Sequence, residues 1–294
     1  MSSYQIISDT ACDMPLSELQ KHNIGYVPFS VSFDSDTYYT ELLDLDSKSF
    51  FEKIEKTGAF PKTSQPTIQQ YLDAFAPYIE KELDILCLCL SSKLSGSYQS
   101  AINAKQFLEE ENCKSKIQII DTTCATGSEN LILQQAIAMR DADFTIDQQV
   151  EALEKLKTTG RIFFTVDSLD HLQKGGRIGK VSALAGSILN VKPVIFLTGG
   201  ELVPHTKVRG QKKALQTITD AVIEEIKENK NDYVVSVLYG SDEFLNIAEN
   251  LIEQLKNDGY GISDFPLMQL GITIGSHVGP SAIGICCAKK YTAL

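Results

Sequence analysis

The chain has 294 residues, of which 43% are hydrophobic and 22% are charged, as is usual for a soluble globular protein with room for two domains. Its 27 Lys and Arg residues are outnumbered by 38 Asp and Glu residues, and the net charge of −11 disfavours a nucleic-acid partner. The longest apolar runs fall far short of the ~20 residues that cross a bilayer, so we do not expect an integral membrane protein.

The first half of the chain alternates short apolar segments with amphipathic ones, which is typical of an α/β domain with a largely parallel sheet. The predicted strands cover residues 5–8, 26–33, 85–90 and 117–120. Between them, Thr67 and Thr145 each precede a glutamine by three residues. This capping-box spacing predicts that a helix begins at each position.

The pattern changes after Gly160. Residues 194–198 and 202–208 flank Gly199-Gly200 and predict an antiparallel hairpin. Further elements are predicted at 212–227 (helix), 233–239 (strand), 242–256 (helix), 262–270 and 283–288 (both extended). We therefore predict two α/β domains, 1–160 with a largely parallel sheet and 161–294 with a mixed sheet, and a ligand between or beneath them.

Ser95 and Gly96 follow the predicted strand 85–90 and precede a predicted helix at 98–110. They therefore lie at the carboxyl edge of the parallel sheet, where loops commonly bind ligands. Ser95 can cap the helix, while the free N–H of Gly96 and the helix dipole can bind a carboxylate oxygen. A simple capping role for Ser95 explains the local sequence equally well.

Two more segments carry groups that suit a small anion. Thr63 stands between Pro61 and Pro66, which predict an extended loop that could aim one hydroxyl. His277 lies between Gly275 and Gly279, which predict that no regular helix forms there and that the backbone can approach a ligand. A loop threonine or a lone histidine is often only structural, but together with Ser95 these two residues suggest a carboxylate receptor.

Other patterns in the sequence give little support for a metal site, a cofactor or a phosphate-binding loop. The seven cysteines have no Cys-x-x-Cys spacing and the four histidines have no paired ligand spacing, so we expect neither a metal nor another cofactor. The glycines near Arg177 do not match a phosphate-binding loop, because Lys174 and Val181 occupy the positions that require glycine and Ser or Thr. Residues 1–5 lack the features of a signal peptide, and we expect a cytoplasmic location.

Charge is unevenly distributed along the chain. Residues 171–213 contain eight Lys or Arg residues, including Arg177 and Arg209, and a single acid, Glu201. A solvated basic face is the ordinary explanation of such a run. Because the run surrounds the candidate site, we favour a surface that docks a partner or steers phosphates, with Arg177 and Arg209 as its docking residues.

The combination of these segments resembles the DegV family of bacterial fatty-acid-binding proteins along nearly the whole chain. The matching blocks share their order and residue types; they are Ile6-Ile7-Ser8-Asp9-Thr10, Lys62-Thr63-Ser64-Gln65-Pro66, Leu94-Ser95-Gly96-Ser97-Tyr98, Lys174-Gly175-Gly176-Arg177, Val208-Arg209-Gly210 and Ser276-His277-Val278-Gly279-Pro280. The resemblance implies that a long-chain fatty acid is buried in the protein. It also implies that Thr63, Ser95 and His277 hold its carboxylate.

In this family, as the resemblance implies, a separate kinase subunit uses ATP to convert the presented carboxylate into an acyl phosphate. The chain itself would then not be an enzyme on its own. Two alternatives remain open: His277 could form a covalent adduct with a small carbonyl substrate, as in distantly similar dihydroxyacetone-kinase subunits, or the protein could be a lipid sensor without a kinase. A small polar pocket would favour the first alternative.

Overall fold

The computed structural model describes residues 4–185 and 190–294. The elements of its first half are, in chain order, β1 (Tyr4–Asp9), α1 (Leu16–Lys21), β2 (Gly25–Val27), β3 (Ser30–Ser32), β4 (Tyr38–Thr40), α2 (Ser47–Thr57), β5 (Lys62–Ser64), α3 (Ile68–Ile79), β6 (Asp84–Cys89), α4 (Ser97–Glu110), β7 (Ile117–Asp121), α5 (Thr126–Asp141) and α6 (Ile146–Leu156).

The second half has longer strands; its elements are β8 (Arg161–Thr165), α7 (Asp170–Lys174), β9 (Val191–Thr198), β10 (Glu201–Arg209), α8 (Gln211–Ile226), β11 (Tyr233–Tyr239), α9 (Leu245–Asn257), β12 (Ile262–Gln269), α10 (Ile272–Val278) and β13 (Ile283–Lys289). In the described part of the chain, no helix is both long enough and apolar enough to span a bilayer.

The first half forms a parallel sheet, as predicted, and its four strands have the order β2-β1-β6-β7. Its central strands are buried on both faces, which explains the continuous apolar run at residues 85–89 of β6. The predicted capping boxes are present at Thr67 and Thr145, whose hydroxyls accept the N–H groups of Gln70 and Gln148.

The predicted strand 26–33 is wrong as one element. Pro28 has no N–H to give to a ladder, and the chain leaves the parallel sheet there. β3 then joins β4 and β5 in a separate antiparallel sheet, in which Val31 pairs with Thr63. Thr63 therefore lies on a short strand and not on a loop.

A mixed six-stranded sheet forms in the second half, in the order β10-β9-β8-β13-β11-β12. Its predicted hairpin is present, and Gly199 and Gly200 both adopt the positive φ that the turn requires. The helix α5 contacts β1 as well as β8, β11 and β13, so it packs between the two larger sheets. The division into domains at residue 160 stays a prediction.

Candidate functional site

A cavity of about 350 Å³ lies beside the amino end of α5 and reaches the six-stranded sheet. Most of its wall is apolar; the apolar lining includes Phe29, Leu90, Ile162, Phe164, Leu197, Leu202, Leu238, Leu270 and Ile283. Five polar lining side chains are joined by short contacts, directly or through neighbouring residues, and we call this group the polar end; they are Thr63, Gln65, Ser95, Arg177 and His277, while the other polar lining residues are Ser64, Thr126 and Thr273. The cavity therefore has the polarity of an amphipathic ligand with one small polar group.

Thr63 and His277 meet directly at the polar end, although 214 positions separate them in sequence. The Thr63 Oγ1 atom lies 2.9 Å from Nε2 of His277. Contrary to our expectation, His277 is on a regular helix, α10, which packs against β5. Gly275 lets this helix approach Phe51, since a Cβ there would lie 2.7 Å from the ring, and Gly279 ends the helix with a φ of 81°.

The His277 ring is neutral at physiological pH. Burial, and secondarily the nearby charge of Arg177, lowers the pKa of His277 to about 4. Its Nδ1 atom is buried and has no hydrogen-bond partner among the described residues; it faces Gly175, where a Cβ would lie 2.3 Å away. A neutral ring protonated on Nε2 donates to Thr63 and leaves the threonine hydroxyl proton free for a ligand.

Ser95 and Gly96 form the turn that enters α4 at the carboxyl edge of the parallel sheet. The Ser95 hydroxyl accepts the N–H of Ser97 at 3.2 Å, so it caps the helix start as well as lining the cavity. The N–H of Gly96 was expected to be free, but it donates to Oε1 of Gln65 at 2.9 Å. That donor is therefore already paired in this structure.

Arg177 is exposed and lines the polar end of the cavity. Its Nε donates to the carbonyl of Leu94 at 3.1 Å and one terminal nitrogen donates to the carbonyl of Gly175 at 2.7 Å. Arg209 does not line this cavity; it is exposed at the end of β10. The two arginines that sequence analysis grouped as docking residues thus occupy different positions, and only Arg177 is near Thr63, Ser95 and His277.

Part of the basic segment is neutralised locally. Lys180 pairs with Glu201 at 2.9 Å, and Lys192 pairs with Asp167. Lys174 lies over the ring of Phe60, 3.4 Å from its centroid. Glu201 is the acid already counted in that segment and Phe60 carries no charge, so of these three partners only Asp167 lowers the positive excess that the sequence suggested.

A group of buried acids lies behind the cavity wall and was not foreseen. The hydroxyls of Thr126 and Thr273, which line the cavity, donate to Asp13 and Glu41 at 2.6 and 2.7 Å. Burial raises the pKa of both acids above the usual range. These two threonine hydroxyls are therefore committed to the protein, and they leave the apolar character of the cavity intact.

One further acid supports the turn at Ser95. Asp9 is fully buried, and its Oδ2 accepts the Ser97 hydroxyl at 2.7 Å and the Leu90 N–H at 3.0 Å. Burial raises the pKa of Asp9 to about 6. In residues 4–185 and 190–294, no group of His, Cys, Asp and Glu side chains has the arrangement of a metal site.

Gln65 and Gly175 are the site residues that sequence analysis quoted without assigning a role. Both belong to motifs beside assigned residues, Thr63-Ser64-Gln65 and Lys174-Gly175-Gly176-Arg177. Their place in those motifs was the one sequence signal that they belong to the site. Their roles could not be predicted, because the contacts that define them join segments far apart in sequence.

Comparisons with known proteins give matches that cover nearly the whole chain. The model of the DegV family, described as uncharacterised proteins, matches residues 3–290. A fatty acid-binding protein of Thermotoga maritima is 31% identical over 284 residues, which is 95% of this chain and 96% of that protein. A DegV domain-containing protein of Clostridium perfringens is 32% identical over 287 residues and 97% of each chain.

Two solved structures have a fold similar to that of this chain. A stearic acid-binding protein from Eubacterium ventriosum has a TM-score of 0.93 and 34% identity, covering 99% of this chain and 100% of that chain. A DegV family protein from Thermus thermophilus, described for its fatty-acid binding, has a TM-score of 0.87 and 27% identity, covering 97% and 99%. The predicted fold class, a parallel sheet followed by a mixed sheet, is confirmed.

Proposed function

Because the chain belongs to the DegV family, we propose that it binds a long-chain fatty acid in the cavity, with the carboxylate at the polar end. The observation that supports this proposal is a mostly apolar cavity with a group of polar side chains around the bonded pair Thr63 and His277. Each buried methylene contributes roughly 0.8 kcal/mol, so about sixteen carbons give a gross term on the order of 10 kcal/mol before the costs of association.

The head-group residues have complementary roles in this proposal. Thr63 and Ser95 donate hydroxyl hydrogen bonds to the carboxylate, and neutral His277 holds the Thr63 hydroxyl in the donating orientation. Arg177 supplies positive charge at the same end. Charge-assisted hydrogen bonds of this kind are each worth about 1.5–3 kcal/mol, which suits orientation of the head group while the tail supplies affinity.

We further propose that the protein presents the carboxylate to a kinase subunit in the cytoplasm and is not an enzyme alone. The polar end of the cavity is bordered by exposed side chains, Gln65 and Arg177, so a second protein could reach the head group there. Gly96 would contribute through the turn that positions Ser95. Arg177 and Arg209 would contact the partner, with Arg177 also beside the ligand.

The other two functions make different demands on the site. A covalent carbonyl adduct at His277 would suit a small polar pocket, whereas this cavity is mostly apolar and both ring nitrogens face protein atoms. A kinase-independent lipid sensor would use the same cavity.

Reconstitution distinguishes these functions. Lipid-free protein is mixed with palmitic acid, ATP, magnesium and each kinase subunit encoded in the same genome, and acyl phosphate is trapped as the hydroxamate. We expect product with one kinase and none without this chain. Palmitic acid binding without product from any kinase would leave the sensor, and no binding would refute the fatty-acid proposal.

A further inference from the structure

Gln65 connects the two segments that carry the head-group hydroxyls. It follows Thr63 by two residues, and its side chain crosses to the turn that contains Ser95 and Gly96. Its Oε1 accepts the Gly96 N–H at 2.9 Å, and its Nε2 donates to Oγ of Ser100 at 3.4 Å. One amide thus bridges β5 and the first turn of α4.

The Gln65 amide occupies the space that a side chain at position 96 would need, and Gly96 has no side chain. A Cβ on Gly96 would lie 2.5 Å from Oε1 and 2.6 Å from Nε2 of Gln65. Gly96 is also the N-cap of α4 and supplies no side-chain cap, so Gln65 satisfies one of the unpaired N–H groups at the helix start. Because that N–H requires an acceptor, it fixes the amide with its oxygen toward Gly96.

We propose that Gln65 is a positioning residue that fixes the spacing between the Thr63 and Ser95 hydroxyls, and so sets the preference for a carboxylate head group. This inference rests on the proposed fatty-acid function. A carboxylate uses both hydroxyls at once, so its binding depends on their spacing. A neutral head group with one oxygen depends on that spacing much less.

The opposite role for Gln65 makes the opposite prediction. If the amide only occupied the Gly96 N–H until a carboxylate displaced it, removing the amide would free a donor and strengthen binding of the acid. If the amide holds the two segments in register, removing it weakens binding of the acid. The sign of the change therefore separates the two roles.

The experiment compares palmitic acid with hexadecanol, which has the same tail length and a neutral head. Affinities are measured by isothermal titration calorimetry for wild type, Gln65→Ala, Gly96→Ala and the double variant. Gln99→Ala is the matched control, because Gln99 is an exposed glutamine on α4 whose amide donates to Asn103 of the same helix. Circular dichroism melting of each variant verifies the fold.

We expect Gln65→Ala to bind palmitic acid about fivefold more weakly, as for loss of one net hydrogen bond, and to bind hexadecanol as wild type does. Gly96→Ala expels the same amide, so the double variant should lose no more than the larger single loss. Unchanged or tighter palmitic acid binding by Gln65→Ala, or equal losses for acid and alcohol, would overturn the inference. Wild-type protein that binds no palmitic acid would refute the proposed function itself.

Discussion

The buried carboxyl of Asp9 lets us predict how the stability of the protein depends on pH. Its pKa in the folded protein is about 6, against an ordinary value of 3.8, because burial disfavours the charged form. The folded chain therefore binds this proton more tightly than the unfolded chain. Below about pH 3.8 both states hold the proton, and from there to pH 6 stability falls as pH rises.

The difference of roughly two pKa units corresponds to about 3 kcal/mol, fully expressed above pH 6. Asp9→Asn removes this titration, so its free energy of unfolding should fall less between pH 4.5 and pH 7.5 than that of wild type. The substitution also changes the absolute stability, because the amide cannot accept at all three sites where the carboxylate accepts from Ser97, Leu90 and Ala11. The slope against pH is therefore the diagnostic quantity.

Urea unfolding followed by circular dichroism at several pH values measures the slope directly. Asp264→Asn is the control, since it makes the same chemical change at an exposed position. Other buried acids, Asp13, Glu41 and Glu129, keep a residual slope of the same sign in both proteins, because burial raises their pKa values too. Equal slopes for wild type and Asp9→Asn would refute the assignment of a raised pKa to Asp9.

Three further predictions concern the site and its surface. Thr63→Val removes the hydroxyl bonded to His277, so the affinity for palmitic acid measured by calorimetry should fall roughly 10- to 150-fold. The affinity for hexadecanol should stay as in wild type. A variant that binds palmitic acid as tightly as wild type does would exclude a head-group role for Thr63. Gly175→Ala places a Cβ against Nδ1 of His277 and should weaken palmitic acid binding in the same assay with little change in melting temperature; full binding would show that the ring position is unimportant. Arg209→Glu should leave lipid binding intact and slow acyl-phosphate formation, by a factor that shrinks as salt rises; normal formation at low salt would argue against docking there.

The sequence was sufficient for elements whose signals are local. The buried strand β6 contains a run of five apolar residues, and β1 and β7 each contain an Ile-Ile pair. The helices after Thr67 and Thr145 have a cap and a matching glutamine within one turn. The hairpin between β9 and β10 follows from two adjacent glycines. Each of these signals lies within a few residues of the element that it specifies.

The errors arose where distant contacts decide the local structure. Thr63 is on a strand because it pairs with Val31 of β3, although the flanking prolines favoured a loop. His277 is on a helix because Gly275 permits close packing on aromatic residues of α2 instead of interrupting the helix. The bond between Gln65 and Gly96 likewise joins positions 31 residues apart, and spacing in one sequence carries no signal of it.

Native mass spectrometry of the freshly purified protein tests the central claim most directly. Spectra are recorded before and after denaturation, and the released small molecules are identified. We predict one equivalent of a long-chain fatty acid that stays with the folded chain and leaves when it unfolds, because most of the cavity wall is apolar. Folded protein that carries no lipid, and that also takes up none when palmitic acid is added, would contradict the account.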